Sequence, residues 1–126
     1  MGRAEDAAGE LAEAKRLVQI LEERDTLALL DVYEGQREFE LGRWSRATQL
    51  LERGLRGLRA CADRADLARS LVYAGRFHLD HGETRDAQRY LDEAAELARS
   101  LGNIALLSEI EPLLRTLGVR AHPTGG

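Results

Sequence analysis

Three sets of side chains in this 126-residue chain have types and spacings that could do chemistry. His78 and His81 stand three apart in "HLDH", a separation at which two imidazoles on one helix can share a metal ion. The remaining ligand type in that stretch, Asp80, projects elsewhere on a helix. The pair therefore lacks a third ligand; a packing role for His78 and a helix-end position for His81 are expected, with no metal and no cofactor. Arg69 and Arg76 stand seven apart, close to two helical turns, and so share one face. Two guanidinium groups placed that way can clamp a carboxylate or an acidic peptide, or can pair with carboxylates of a neighbouring helix such as Glu40. Cys61 is the single cysteine, so no internal disulfide forms, in keeping with a reducing cytoplasm. It falls in an apolar helical pattern with no base beside it, as expected of a buried small residue rather than a nucleophile. No phosphate loop, nucleophile elbow or paired-carboxylate arrangement stands out, which argues against an enzyme.

Charge narrows the partners. The net charge is −4, which disfavours a general nucleic-acid binder. The distribution is uneven: residues 1–42 carry 5 basic and 11 acidic groups, whereas residues 43–69 carry 7 basic and 3 acidic. A basic middle helix lying beside acidic neighbours accounts for this, and an anion site is the alternative. Of the 18 basic residues only Lys15 is a lysine, a bias that a GC-rich genome produces. The N-terminal "MGRAEDAAGELAEAK" has no apolar core of a signal peptide, and no apolar run approaches the ~20 residues needed to cross a bilayer.

The elements that must position these side chains are helices. Every long segment has apolar residues at steps of three and four, and none alternates as a strand does. The spacing predicts six: residues 5–24; Thr26 to about Leu41, capped by Asp25 and closed by Gly42; Ser45 to about Ala62; Arg64–Asp80, capped by Asp63 and closed by Gly82; Thr84 to Leu101, with Gly102 as a left-handed cap; and a sixth capped by Asn103, ending near Leu117 before Gly118. Pro112 should kink the sixth or begin a fresh first turn. The expected organisation is one domain over residues 1–118 and a disordered tail over 119–126.

The chain also repeats itself at an offset of forty. Gly35 matches Gly75, Gly42 matches Gly82, Ala47 matches Ala87 and Leu51 matches Leu91. Ala14, Gly54 and Ala94 form one column, as do Val18, Leu58 and Ala98, then Leu21, Cys61 and Leu101, then Leu27, Leu67 and Leu107. Glycine inside a helix costs about 1 kcal/mol relative to alanine, so Gly35 and Gly75 should mark close helix crossings near Ala47 and Ala87.

In these positions the chain resembles the tetratricopeptide repeat (TPR) family. That family's helix A carries a small residue, followed by a turn glycine, an aromatic, two alanines and a large apolar residue in helix B. Here they read Gly35, Gly42, Trp44, Ala47, Leu51 and Gly54, and in the second copy Gly75, Gly82, Thr84, Ala87, Leu91 and Ala94. The chain departs from the pattern at Gly54, at Thr84, and at Glu38 and His78, where the family has a tyrosine. The forty-residue period exceeds the usual 34 and is similar to the long-helix variety found in bacterial multidomain transcription activators and kinesin light chains.

The resemblance implies an all-α array of antiparallel hairpins stacked as a short right-handed solenoid. It implies a non-enzymatic, cytoplasmic scaffold module whose partner is a protein or peptide. It places Leu29, Val32, Gln36, Phe39 and Glu40, then Arg69, Val72, Arg76, Leu79 and Asp80, along a concave binding groove. The alternative is a small-molecule or anion sensor built on Arg69, Arg76 and His78. The sixth helix resembles a helix A without its helix B, and repeat arrays need polar ends. Its apolar residues, among them Ile110, Leu113, Leu114 and Leu117, are therefore expected to form an uncovered patch for self-association into a homodimer, or for contact within a longer array.

Overall fold

The computed structural model describes residues 3–61 and 63–121. Among the described residues there are five helices and no strand: α1 (Arg3–Glu40), α2 (Trp44–Ala60), α3 (Arg64–Asp80), α4 (Thr84–Leu101) and α5 (Ile104–Ala121). The all-α expectation holds, but the two helices expected over the first forty residues are one. Asp25 caps nothing. Three of the four turns contain a glycine at positive φ, Gly42 and Gly82 at 77° and Gly102 at 66°, while α2 ends at Cys61 in an extended conformation and α3 restarts behind the Asp63 cap. Between Gly9 and Gly35 the chain has neither glycine nor proline, so nothing there can adopt a left-handed stop cheaply. The Thr26 hydroxyl donates to the Glu22 carbonyl at 2.9 Å, within the helix, instead of opening a new one. The 38 residues of α1 span about 57 Å.

The remaining boundaries follow local chemistry. Arg43 N–H donates to Glu38 and Gly42 N–H to Phe39; forty residues on, Glu83 and Gly82 repeat the pattern on His78 and Leu79. Asp63 accepts from Asp66 N–H at 3.1 Å and Asn103 from Leu106 N–H at 3.0 Å, so both expected caps are present. Ser45 is not a cap: α2 begins one residue earlier, at Trp44, behind Arg43. Helix α5 runs unbroken through Pro112 and past Gly118 to Ala121, beyond the expected end at Leu117. The rest of the expected tail, 122–126, lies outside the described residues.

Helices α1 and α2 pack along each other, as do α3 and α4, while α5 lies on α4 and touches α3; α3 also touches α1. The first pair is unusually close. A Cβ on Gly54 would stand 2.8 Å from the Ala28 carbonyl oxygen and 2.7 Å from Val32 Cγ2, which explains why this position is glycine where the second copy has Ala94. Gly35 faces Ala47 as expected, with a built Cβ 3.1 Å from its carbonyl oxygen. Gly75 makes room for the Leu91 side chain rather than for the backbone at Ala87.

The basic stretch is absorbed by acidic neighbours. Arg53 makes two hydrogen bonds to Asp31 of α1, at 2.9 and 2.8 Å, and Arg59 makes two to Glu93 of α4, at 3.1 and 2.8 Å.

The expected patch on α5 is not there. Ile110 and Leu117 are 0% and 1% exposed, buried on α3 and α4, and Leu113 and Leu114 pack half-buried beside them. The helix turns its apolar side inward and presents Glu111, Pro112, Arg115 and Thr116 outward. This corrects the expectation that Ile110, Leu113, Leu114 and Leu117 form an uncovered patch: this strip finds its cover within the chain. The exposed apolar residues lie instead mostly along α1, including Leu11, Val18, Leu27 and Leu30. Among the described residues no helix is long and apolar enough to cross a membrane.

Candidate groove over helix α3

Helix α3 lies between α1 and α5, and each side of it carries a depression. The first, about 210 Å³, is lined by Leu29, Val32, Tyr33 and Gln36 from α1 and by Asp66, Arg69, Ser70 and Tyr73 from α3. The second, about 320 Å³, is lined by Arg69, Val72, Tyr73 and Arg76 from α3 and by Asn103, Ala105, Leu106 and Glu109 from the start of α5. Arg69 and Tyr73 line both, so the two depressions share a ridge.

Six of the ten groove residues expected from sequence come together here: Leu29, Val32, Gln36, Arg69, Val72 and Arg76. Val32 and Val72 are buried and form the floor. The other four do not line either depression. Phe39 turns to the hairpin end, where its ring stacks on Phe77 at 3.7 Å and meets Trp44 edge-on. Leu79 is buried beside Ala87, Leu91 and Leu117. Glu40 and Asp80 are exposed at the helix ends.

Tyr33, Tyr73, Asn103 and Glu109 are among the lining residues that the sequence reading left out of the groove. Tyr33 and Tyr73 stand at the repeat offset of forty, and that signal could have found them. Asn103 and Glu109 carried no signal, because the packing of α5 on α3 brings them in.

The electrostatics of the groove are set by its two arginines. Arg69 pairs with Asp66 at 2.9 Å, one turn back on its own helix. Arg76 has no ion pair or hydrogen bond among the described residues, and neither arginine pairs with Glu40, the partner considered from sequence. The Tyr73 hydroxyl is buried with no hydrogen bond of ordinary geometry. Burial, and then the Glu40 carboxylate, push its pKa well above the phenol range, against an opposing influence from the Gln36 side chain. The Tyr73 phenol is therefore neutral, and its hydroxyl lies buried beside Gln36 beneath the ridge.

The histidine pair belongs to packing. His81 stacks on Trp44 at 3.6 Å between centroids, and His78 lies buried between Trp44, at 5.4 Å, and Tyr90, at 5.2 Å. Burial lowers the His78 pKa, and its Nδ1 has no partner. Elsewhere, Asp25, Asp63 and Asp66 bring carboxylate oxygens within 4.8 Å of one another at the start of α3. Asp66 and the cap Asp63 sit where the helix N-terminus favours negative charge. Asp25, from α1, is raised in pKa by burial, by a hydrogen bond with Asp66 and by both charges. Cys61 is buried at the end of α2, its thiol pKa raised first by burial, as suits a packed residue rather than a nucleophile.

No family model matches the chain, and neither a curated protein nor a solved structure shows significant similarity to it.

Proposed function

We propose that this chain is a TPR-like helical array that binds an acidic peptide or protein segment along the α1–α3–α5 groove, without doing chemistry on it. The observation that carries the reading is the shared ridge: Arg69 and Tyr73 face both depressions, so one extended ligand can run across α3 and touch all three helices. The chemistry suits a carboxylate-bearing ligand. Arg76 is an uncommitted guanidinium, Arg69 is exposed, Asn103 adds a neutral polar group, and the Tyr73 ring joins the apolar floor. The preformed helices keep the ordering cost of binding low on the protein side. Both depressions are open to solvent along α3, which favours an extended chain lying across them over a small molecule that a pocket must enclose. The three-helix lining, the Gly–Ala crossings and the repeat at forty support the TPR-like assignment.

The test is fluorescence anisotropy with labelled acidic peptides, with neutral peptides of equal length as controls. Saturable binding of an acidic peptide, weakened about tenfold by Arg76→Ala, is expected from loss of one charge-assisted contact. Equal binding of the neutral controls would overturn the reading. Thermal stabilisation by inorganic anions alone, lost on Arg76→Ala, would favour the small-anion sensor.

A further inference from the structure

We propose that residues 9–24 of α1 form a dimerisation arm, pairing antiparallel with the same arm of a second copy of this chain. Independently of what the groove binds, the proposal rests on one stripe of α1 and where its cover ends. Ala28, Val32 and Gly35 face α2, where Gly54 lies against Ala28 and Val32, and Gly35 against Ala47 and Leu51. Stepping back along the same stripe by fours and threes gives Asp25, Leu21, Val18, Ala14 and Leu11, the spacing of an a/d seam. Helix α2 stops at Ala60, and the Cys61 thiol lies 4.0 Å from the Leu21 carbonyl, marking the end of cover. Beyond it Leu11 is 57% exposed, Val18 53% and Leu21 41%, with Leu17 at 51% on the flank.

The far side of the arm carries Glu13, Arg16 and Glu23, with Ile20, 37% exposed, as the large apolar residue among them. A seam of this kind is what a helix presents to another helix.

A second copy is the occupant that the residues themselves fit. An antiparallel pair with a two-fold axis near residue 16 sets Leu11 of one arm against Leu21 of the other, and Ala14 against Val18. In that register Glu10 of one copy flanks Arg24 of the other, twice by symmetry, and Leu17 meets Leu17 across the axis. On the opposite flank Lys15 of one copy faces Lys15 of the other across the axis, a like-charge pair whose long stems let the ammonium groups splay into water. Where the seam meets the α2–α3 turn there is a notch of about 530 Å³, lined by Val18, Leu21, Asp25 and Cys61 among others. Leu11 of the second copy reaches this notch in the same register. Leu27 and Leu30, also exposed, lie around the other side of α1 and take no part.

Multi-angle light scattering of the full chain over a concentration series tests this. A dimer is expected, dissociating on dilution because two heptads make a short seam. Val18→Asp combined with Leu21→Asp should weaken dimerisation at least tenfold with the helical circular dichroism unchanged. Leu27→Asp combined with Leu30→Asp should leave the dimer intact. In a Cys61→Ser background, Leu17→Cys should give a covalent dimer under oxidation. A wild-type monomer at high concentration, a larger oligomer, or a dimer lost on the Leu27/Leu30 changes and kept on the Val18/Leu21 changes would each overturn the proposal.

Discussion

The Trp44 indole lies on the His81 imidazole with 3.6 Å between ring centroids and 19° between planes. Trp44 opens α2 and His81 closes α3, so the turn of the first hairpin is fastened to the turn of the second. Phe39 and Phe77, stacked 3.7 Å apart beside this pair, extend the same seam. Together with the apolar cluster that runs from Ala28 and Leu55 to Leu71 and Tyr90, these ring contacts hold the two hairpins against each other.

Removing the fastener should therefore loosen the whole domain. Trp44→Ala is expected to lower stability by about 3 kcal/mol, since a large half-buried ring and its stacking partners lose contact together. Urea unfolding followed by circular dichroism measures this. An unchanged midpoint would show that the hairpins are held by other contacts.

Helix crossing is tightest at Gly54. Alanine there gains about 1 kcal/mol of helix propensity but drives its Cβ to 2.8 Å from the Ala28 carbonyl oxygen. Backbone cannot yield as a side chain can, so Gly54→Ala should destabilise by roughly 1–3 kcal/mol. Gly35→Ala, whose new Cβ would sit at 3.1 Å from the Ala47 carbonyl oxygen, should cost less. The ranking of the two thermal midpoints is the measurement.

Burial holds the His78 imidazole neutral by lowering its pKa below the ordinary 6.5. The unfolded chain then binds more protons than the folded one in the window just below that value. Stability is full above it and declines as pH falls through the window towards the depressed folded pKa. Urea midpoints at about pH 7.5 and about pH 5 should differ in that sense. His78→Phe should flatten the difference across this window.

Asp25 has the opposite sign. Its pKa is raised above the ordinary 3.8 by burial and then by Asp66 and Asp63. Its ionisation therefore opposes folding increasingly as pH rises through the folded pKa. Asp25→Asn should raise the thermal midpoint at neutral pH, and the gain should vanish below about pH 3.8.

Tyr73 separates fold from function. Its hydroxyl is buried without a bond, so Tyr73→Phe should leave stability unchanged or slightly higher. The same change should weaken acidic-peptide binding if the hydroxyl turns to the ligand. Calorimetry of folding and anisotropy of binding on the one variant read both arms.

Much of this organisation was legible in the chain itself. Helical spacing, the glycines at 42, 82 and 102, and the caps Asp63 and Asn103 are local devices, and each acts where it stands. The repeat at forty identified Gly35 as a crossing point because a mid-helix glycine needs a neighbour to offset its cost. The family resemblance had placed Leu29, Val32, Gln36, Arg69, Val72 and Arg76 along a groove, and these six line the two depressions.

Tertiary structure decided what depends on distant neighbours. Whether α1 continues past Asp25 was settled along with its packing on α2, where Ala28 and Val32 lie against Gly54 in one unbroken helix, against a repeat pattern that suggested a break. Whether Ile110 and Leu117 meet another molecule or their own chain depended on how α5 rolls onto α3 and α4, since an apolar strip is indifferent to the source of its cover. The same roll brought Asn103 and Glu109 to Arg76. Periodicity states which side of a helix is apolar; only packing states what lies against it.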